Sequence, residues 1–277
     1  MHLAMIDDKI LAIEELEPAY LDRGTFFGDG VYEVLRSYNG KIFAFEDHLN
    51  RFENSLSAIG ITSVKIDQIR KRVQTAFDSA GIANAKIYFH ITRGSAPRNH
   101  TYEPCLKPNF FLTVTEIHDA TEEKVKGIAV STYPDLRWKR CDIKSLNLLA
   151  NVLARNDAAQ KDCAEAILVN DSGLITEGAG SSFFAIFGKN LHTSPLTTNI
   201  LPSITRKYVI KTARNIGLEI LEESITPKQA KNAEELFIAV TTKDIVPVVK
   251  FDNKIIQIGK PGRYTKLLIK EYLLLTK

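Results

Sequence analysis

The dipeptide Asn39-Gly40 stands between two β-prone runs, residues 31–38 and 41–45. Both of its residues tolerate the positive φ of a tight reverse turn, so the two runs are expected to pair as a hairpin. A different period follows. Leu49, Phe52, Leu56 and Ile59 recur three or four apart, as do Ile66, Ile69, Val73 and Phe77, with Gly81 as a C-cap. This spacing predicts two amphipathic helices. Strand-like runs return at 85–92 and 110–117, and an earlier pair, 3–6 and 10–13, flanks the turn Asp7-Asp8-Lys9. Strands first, then helices, then strands again is an α+β order and not the strict alternation of a doubly wound sheet.

The polar stretch 118–126 is the expected boundary, with residues 1–118 as a smaller domain, 119–126 as linker and 127–277 as a larger domain. The larger part opens with an alternating strand at 127–133. A helix from about 145 to 161 follows, presenting Leu149, Val152, Leu153 and Ala158. Strands are expected at 164–170 and, after the turn Asp171-Ser172-Gly173, at 174–187. A helix over 203–216 closes at Gly217. Strands at 218–225 and 235–242 then precede a hairpin around Asp252-Asn253 and a C-terminal helix. Both domains read as α+β.

Composition narrows the function. Of 277 residues, 44% are hydrophobic and 25% charged, as in an ordinary globular chain, and no stretch approaches the roughly 20 apolar residues of a membrane span. The balance of 36 basic against 33 acidic residues gives a net charge of +3, too even for a nucleic-acid surface. Residues 1–17 carry Asp7, Asp8, Glu14, Glu15 and Glu17, unlike a secretory signal. Cys105, Cys141 and Cys163 have no metal-ligand spacing, and no metal is expected; reduced thiols in the cytoplasm are the simplest reading.

Taken singly, the candidate residues are ambiguous. Gly28-Asp29-Gly30 suits a plain turn or a close approach of backbone to a ligand. Arg51, three after His48, is by default on a solvated helix face, Lys144 is one of many lysines, and Glu177 is a turn carboxylate. Arg93, Arg98 and His100 crowd one loop, which suits either carboxylate capture or a solvated basic loop.

Read jointly, four strings change this. They are DRGTFFGDGVYEV (22–34), YFHITRGSAPRNH (88–100), RWKRCDIKSLNLLANVLAR (137–155) and LITEG (174–178). In the same order and with nearly the same spacing, they resemble the fold-type IV pyridoxal-phosphate enzymes, most closely the D-amino acid transaminases. The resemblance runs from near the N-terminus through at least Thr242. It implies a two-domain α+β fold with pyridoxal 5'-phosphate at the domain interface and a ping-pong exchange of an amino group between a D-amino acid and a 2-oxo acid. Lys144 matches the lysine that bonds the cofactor and moves the substrate proton. Glu177 matches the carboxylate at the pyridine nitrogen. Arg51, Ile204, Thr205 and Thr241 match phosphate-binding positions, and Leu201 an apolar residue against the ring. Tyr32, Arg98 and His100 match the trap for the substrate carboxylate, with Arg98 and His100 reaching in from a neighbouring subunit, which implies at least a homodimer.

Three departures stand out. Gly178-Ala179-Gly180-Ser181-Ser182 replaces a serine-rich run closing with asparagine, Val240 stands where a serine is usual, and Lys139 replaces an apolar residue beside Trp138. The first two remove hydrogen-bond partners near the cofactor, each worth about 0.5–1.5 kcal/mol. The same fold hosts branched-chain L-amino acid transaminases and aminodeoxychorismate lyase, but the RGxxPRxH pattern of Arg93 to His100 argues against the first, and Tyr32 with Arg98 and His100 against the second. A non-catalytic protein retaining the fold would leave Arg51, Thr205 and Glu177 without a shared purpose.

Overall fold

The computed structural model describes residues 2–197 and 199–277. Strand Gly30–Tyr38 pairs antiparallel with Lys41–Ile42 through Asn39 and Gly40, both at positive φ (49° and 83°). The second arm of this hairpin is shorter than expected. Ala44, at φ 51°, turns the chain directly into helix Phe45–Ala58. Ala85–Thr92 and Asn109–Glu116 complete a four-stranded antiparallel sheet in the order Lys41–Ile42, Gly30–Tyr38, Ala85–Thr92, Asn109–Glu116. Helices Phe45–Ala58 and Ile66–Ala80 cover it. Leu49, Phe52, Leu56, Ile69, Val73 and Phe77 pack there against Val31, Leu35, Ile87, Phe89 and Ile91.

The second sheet has nine strands of mixed direction. Its order is Glu219–Leu221, Asn190–His192, Ser182–Phe187, Glu235–Val240, Asp244–Phe251, Ile128–Pro134, Glu165–Val169 and Ile175–Gly178, with Lys254–Ile255 beside Asp244–Phe251. Strand Glu235–Val240 explains why its apolar run is unbroken: Leu236 and Ile238 enter one core while Phe237 and Ala239 enter another on the opposite face. Helices Ile204–Asn215 and Arg263–Leu274 cover the second face through Val209, Ala213, Leu268 and Tyr272.

Several expectations need correction. The helix expected from about 145 starts at Leu149. The residues before it lie along the edge of the smaller sheet: the Tyr32 amide donates to the Lys144 carbonyl (3.0 Å) and the Leu146 amide to the Gly30 carbonyl (3.0 Å). Pairing with a distant strand outcompetes local helix propensity there. Helix Leu149–Gln160 also faces the other way, burying Ala154 and Ala158 against Ala166 and Leu168, while Leu149, Val152 and Leu153 are 72%, 50% and 47% exposed. The run 174–187 is two strands, broken at Ala179-Gly180-Ser181, and only Glu219–Leu221 of 218–225 is a strand. The stretch read as a linker contains helix Thr121–Lys126.

That helix joins a buried ring of charge between the sheets. Arg36, from the smaller sheet, donates to Asp119 (3.1 Å), to Asp244 (3.2 Å) and to the Thr242 carbonyl (3.1 Å). Lys124 donates to Asp119 (2.5 Å) and Asp244 (2.7 Å), and the Tyr38 hydroxyl also donates to Asp244.

Candidate active site

A cavity of about 290 Å³ lies between the two sheets, and every wall carries a residue singled out by the sequence: Tyr32, Arg51, Lys144, Glu177, Leu201 and Thr241. Tyr32 projects from strand Gly30–Tyr38. Lys144 projects from the extended segment beside that strand, its Nζ 4.3 Å from the centre of the Tyr32 ring. The Lys144 amide donates to Ser55 Oγ (3.2 Å), so both backbone groups of this residue are fixed by the smaller sheet and its helix. The approach is close at Gly30, where a Cβ would lie 2.5 Å from the Ile91 carbonyl oxygen and 2.8 Å from Leu146 Cδ1.

Arg51 is not on a solvated helix face. Its Nε and one Nη each donate to Glu33 at 2.7 Å, the other Nη donates to the Pro202 carbonyl (3.2 Å), and His48 Nδ1 lies 2.8 Å from the same carboxylate. Burial alone would raise the Glu33 carboxyl, but Arg51 and His48 outweigh it and hold the group well below the usual carboxylate range. The guanidinium is thus presented to the cavity in one orientation. Glu33 and His48 were not anticipated. Their signal was the single carboxylate of strand Gly30–Tyr38, Glu33, set between Tyr32 and Val34, which must find a cation if buried.

Across the cavity, Glu177 ends strand Ile175–Gly178. Its Oε1 accepts from Arg137 and from the Leu201 amide (3.2 Å); among the described residues Oε2 accepts no hydrogen bond. Burial pushes its carboxyl up, with Arg137 acting in the opposite direction. Thr205 Oγ1 lies 3.4 Å from Thr241 Oγ1, which brings the start of helix Ile204–Asn215 to the turn after Glu235–Val240. Ser203 caps this helix by accepting from the Arg206 amide (3.1 Å), leaving the amides of Ile204 and Thr205 in the first turn to meet an anion. Among the described residues, Ser182 Oγ is buried on the cavity wall without a hydrogen-bond partner. Cys141 also lines the cavity, but its thiol donates to the Trp138 carbonyl (3.1 Å) and burial pushes it up to about 11, so it stays neutral.

The carboxylate-trap loop is divided. Arg93 is buried and pairs with Asp29, to which Arg23 also donates, and it stacks 3.7 Å over the Tyr102 ring, so it captures no ligand. Arg98 and His100 are exposed, lie against Phe27, and are outside the lining of their own chain's cavity.

The cavity therefore joins an amine, a buried carboxylate and a guanidinium. The chain belongs to the amino-transferase class IV family, whose model matches residues 30–251. It is 39% identical over 246 residues to the D-alanine aminotransferase of Bacillus licheniformis, covering 88% of this chain and 87% of that one. Its fold is similar to the Escherichia coli branched-chain amino acid aminotransferase, with a TM-score of 0.88, 22% identity, and coverage of 98% and 93%. It is also similar to a second branched-chain amino acid aminotransferase, solved with pyridoxamine 5'-phosphate (TM-score 0.86, 22% identity, coverage 96% and 92%). No helix among the described residues is long and apolar enough to cross a membrane.

Proposed function

We propose that this chain is a D-amino acid aminotransferase that uses pyridoxal 5'-phosphate and works as a homodimer in the cytoplasm. The observation that carries the reading is the meeting of Lys144, Glu177, Arg51 and Ser203, the N-cap of helix Ile204–Asn215, around one cavity. The donor set fits the cofactor. Glu177 Oε2 and Ser182 Oγ have no partner within the described residues, and the helix amides and Arg51 suit a phosphate. The bound cofactor supplies an electron sink for the carbanion formed when the substrate α-carbon loses its proton.

The protein's own residues do the rest. Lys144 Nζ would hold the cofactor and would take and return the substrate α-proton. Glu177 would hold the ring nitrogen, Arg51, Ile204, Thr205 and Thr241 would hold the phosphate, and Leu201 would pack against the ring. The Tyr32 hydroxyl, with Arg98 and His100 from the second copy, fixes the substrate carboxylate and hence which face of the α-carbon meets Lys144. Two features support the second copy: Arg98 and His100 are exposed away from their own cavity, and Leu149, Val152 and Leu153 form an apolar face beside it that water disfavours. Assigning residues 1–118 and 127–277 to separate domains is supported by the strands of each sheet falling within one range.

The test is the visible absorption of the purified protein before and after D-alanine, with L-leucine as control. D-Alanine should convert the cofactor band and L-leucine should barely change it. Conversion by L-leucine alone would make this a branched-chain enzyme. Arg98→Ala should lose D-alanine turnover while keeping the bound cofactor.

A further inference from the structure

Arg137 has no role in the reaction described so far, yet it is one of the two donors to Glu177 Oε1. Its own placement is over-determined. Asp135 grips it in a two-point pair, Nε to Oδ1 and Nη2 to Oδ2, both 2.8 Å, and Thr176 Oγ1 donates to the same Asp135 oxygen at 2.7 Å. Nη2 also reaches the Asn199 carbonyl (3.3 Å). Arg137 and Glu177 side chains are only 9% and 7% exposed, so water screens their interaction weakly.

The stoichiometry of this cluster is informative. Two carboxylates share one guanidinium, which leaves one negative charge unbalanced beside the cavity. The unengaged acceptor is Glu177 Oε2, because Arg137 and the Leu201 amide both occupy Oε1. A buried carboxylate without a cation tends to take up a proton and become a donor. A carboxylate held by a charged donor of fixed orientation stays an acceptor with a fixed direction.

We infer that Arg137, held by Asp135, is a positioning residue of the reaction: it keeps Glu177 an anionic acceptor and leaves Oε2 for a protonated ring nitrogen. This inference rests on the proposed function, because the cation it completes is the cofactor's. Arg137 acts through Glu177 and touches no substrate.

A double-mutant cycle on the holoenzyme tests it. The readouts are the rate at which D-alanine converts the cofactor band, the resting absorption across pH, and the melting temperature. Arg137→Met should slow conversion roughly tenfold or more at neutral pH, the scale of one lost hydrogen bond to a charged group. Its resting absorption should gain a pH dependence that the wild type lacks, because the Glu177 carboxyl, without Arg137 to oppose the effect of burial, takes up a proton more readily. In a Glu177→Gln background the same substitution should change the rate by less than about twofold, because the coupling partner is gone. Arg137→Lys, which keeps the charge without the fork, should recover part of the rate and guards against simple misfolding of the Met variant. Equal losses in both backgrounds, or an unchanged rate in the single variant, overturn the inference while leaving the aminotransferase reading intact. A wild-type protein that binds no cofactor overturns both.

Discussion

Asp244→Asn offers a direct measure of how firmly the two sheets are joined. The Asp244 side chain is 4% exposed and accepts from Arg36, Lys124 and the Tyr38 hydroxyl. It sits at φ 61°, a conformation that asparagine also tolerates, so the substitution removes charge without adding backbone strain. Arg36 and Lys124 are then left sharing Asp119, whose side chain is 41% exposed and partly screened. Breaking a buried pair by removing one partner costs about 3–5 kcal/mol, since the remaining charge stays desolvated. For a chain of this size each kcal/mol lowers the melting temperature by about 2–4 °C, so a fall on the order of 10 °C is expected by scanning calorimetry. Lys126→Ala is the matched control. Its pair with Glu122 is 72% and 77% exposed, and such pairs contribute about 0–1 kcal/mol. If both variants melt within about 2 °C of the wild type, the ring is not the buried network that its geometry describes, and the argument from desolvation fails.

Two further outcomes follow from the same reasoning. Lys124 and Arg36 overcome the effect of burial and hold the Asp119 carboxyl at about 2, against 3.8 ordinarily. A depressed carboxyl contributes stability above its unfolded value and loses it as pH falls toward the folded one, so the wild-type advantage over Asp119→Asn should shrink between pH 3.8 and about 2 in melting curves. Ser203→Ala removes the acceptor for the Arg206 amide and should cost about 1 kcal/mol, read as a lower denaturant midpoint with an unchanged slope.

The elements legible in the sequence were those whose signal is local. Asn39-Gly40 specifies its turn through two positive φ values, and Leu49, Phe52 and Leu56 specify a buried helix face by spacing alone. Segment 145–148 misled because its residues suit a helix, while the bond that decides its shape comes from Gly30, more than a hundred positions away. The same holds for Leu149, Val152 and Leu153. Periodicity identifies an apolar stripe but does not say whether the stripe faces its own core or the outside. At the site, the string resemblance brought forward Lys144, Glu177, Arg51 and Thr241, which do line one cavity. Glu33 went unseen because it meets His48 and Arg51 only through the fold, and Asp135, two residues from Arg137, because spacing does not say that the pair is buried.

The attachment of the Lys144 backbone to Tyr32 and Ser55 means that the Lys144 amine goes with the smaller sheet, although it follows the larger one's first strand in the chain. Glu177 and Thr241 move with the larger sheet. A molecule bonded to Lys144 and held at Glu177 and Thr241 is therefore a tether across a mechanical seam. Its binding free energy resists sliding of one sheet past the other and adds to apparent stability by mass action. Arg51 stands on the helix that covers the smaller sheet and lines the same cavity, so such a molecule would still span the seam after release from Lys144, held by one sheet's guanidinium and the other's carboxylate.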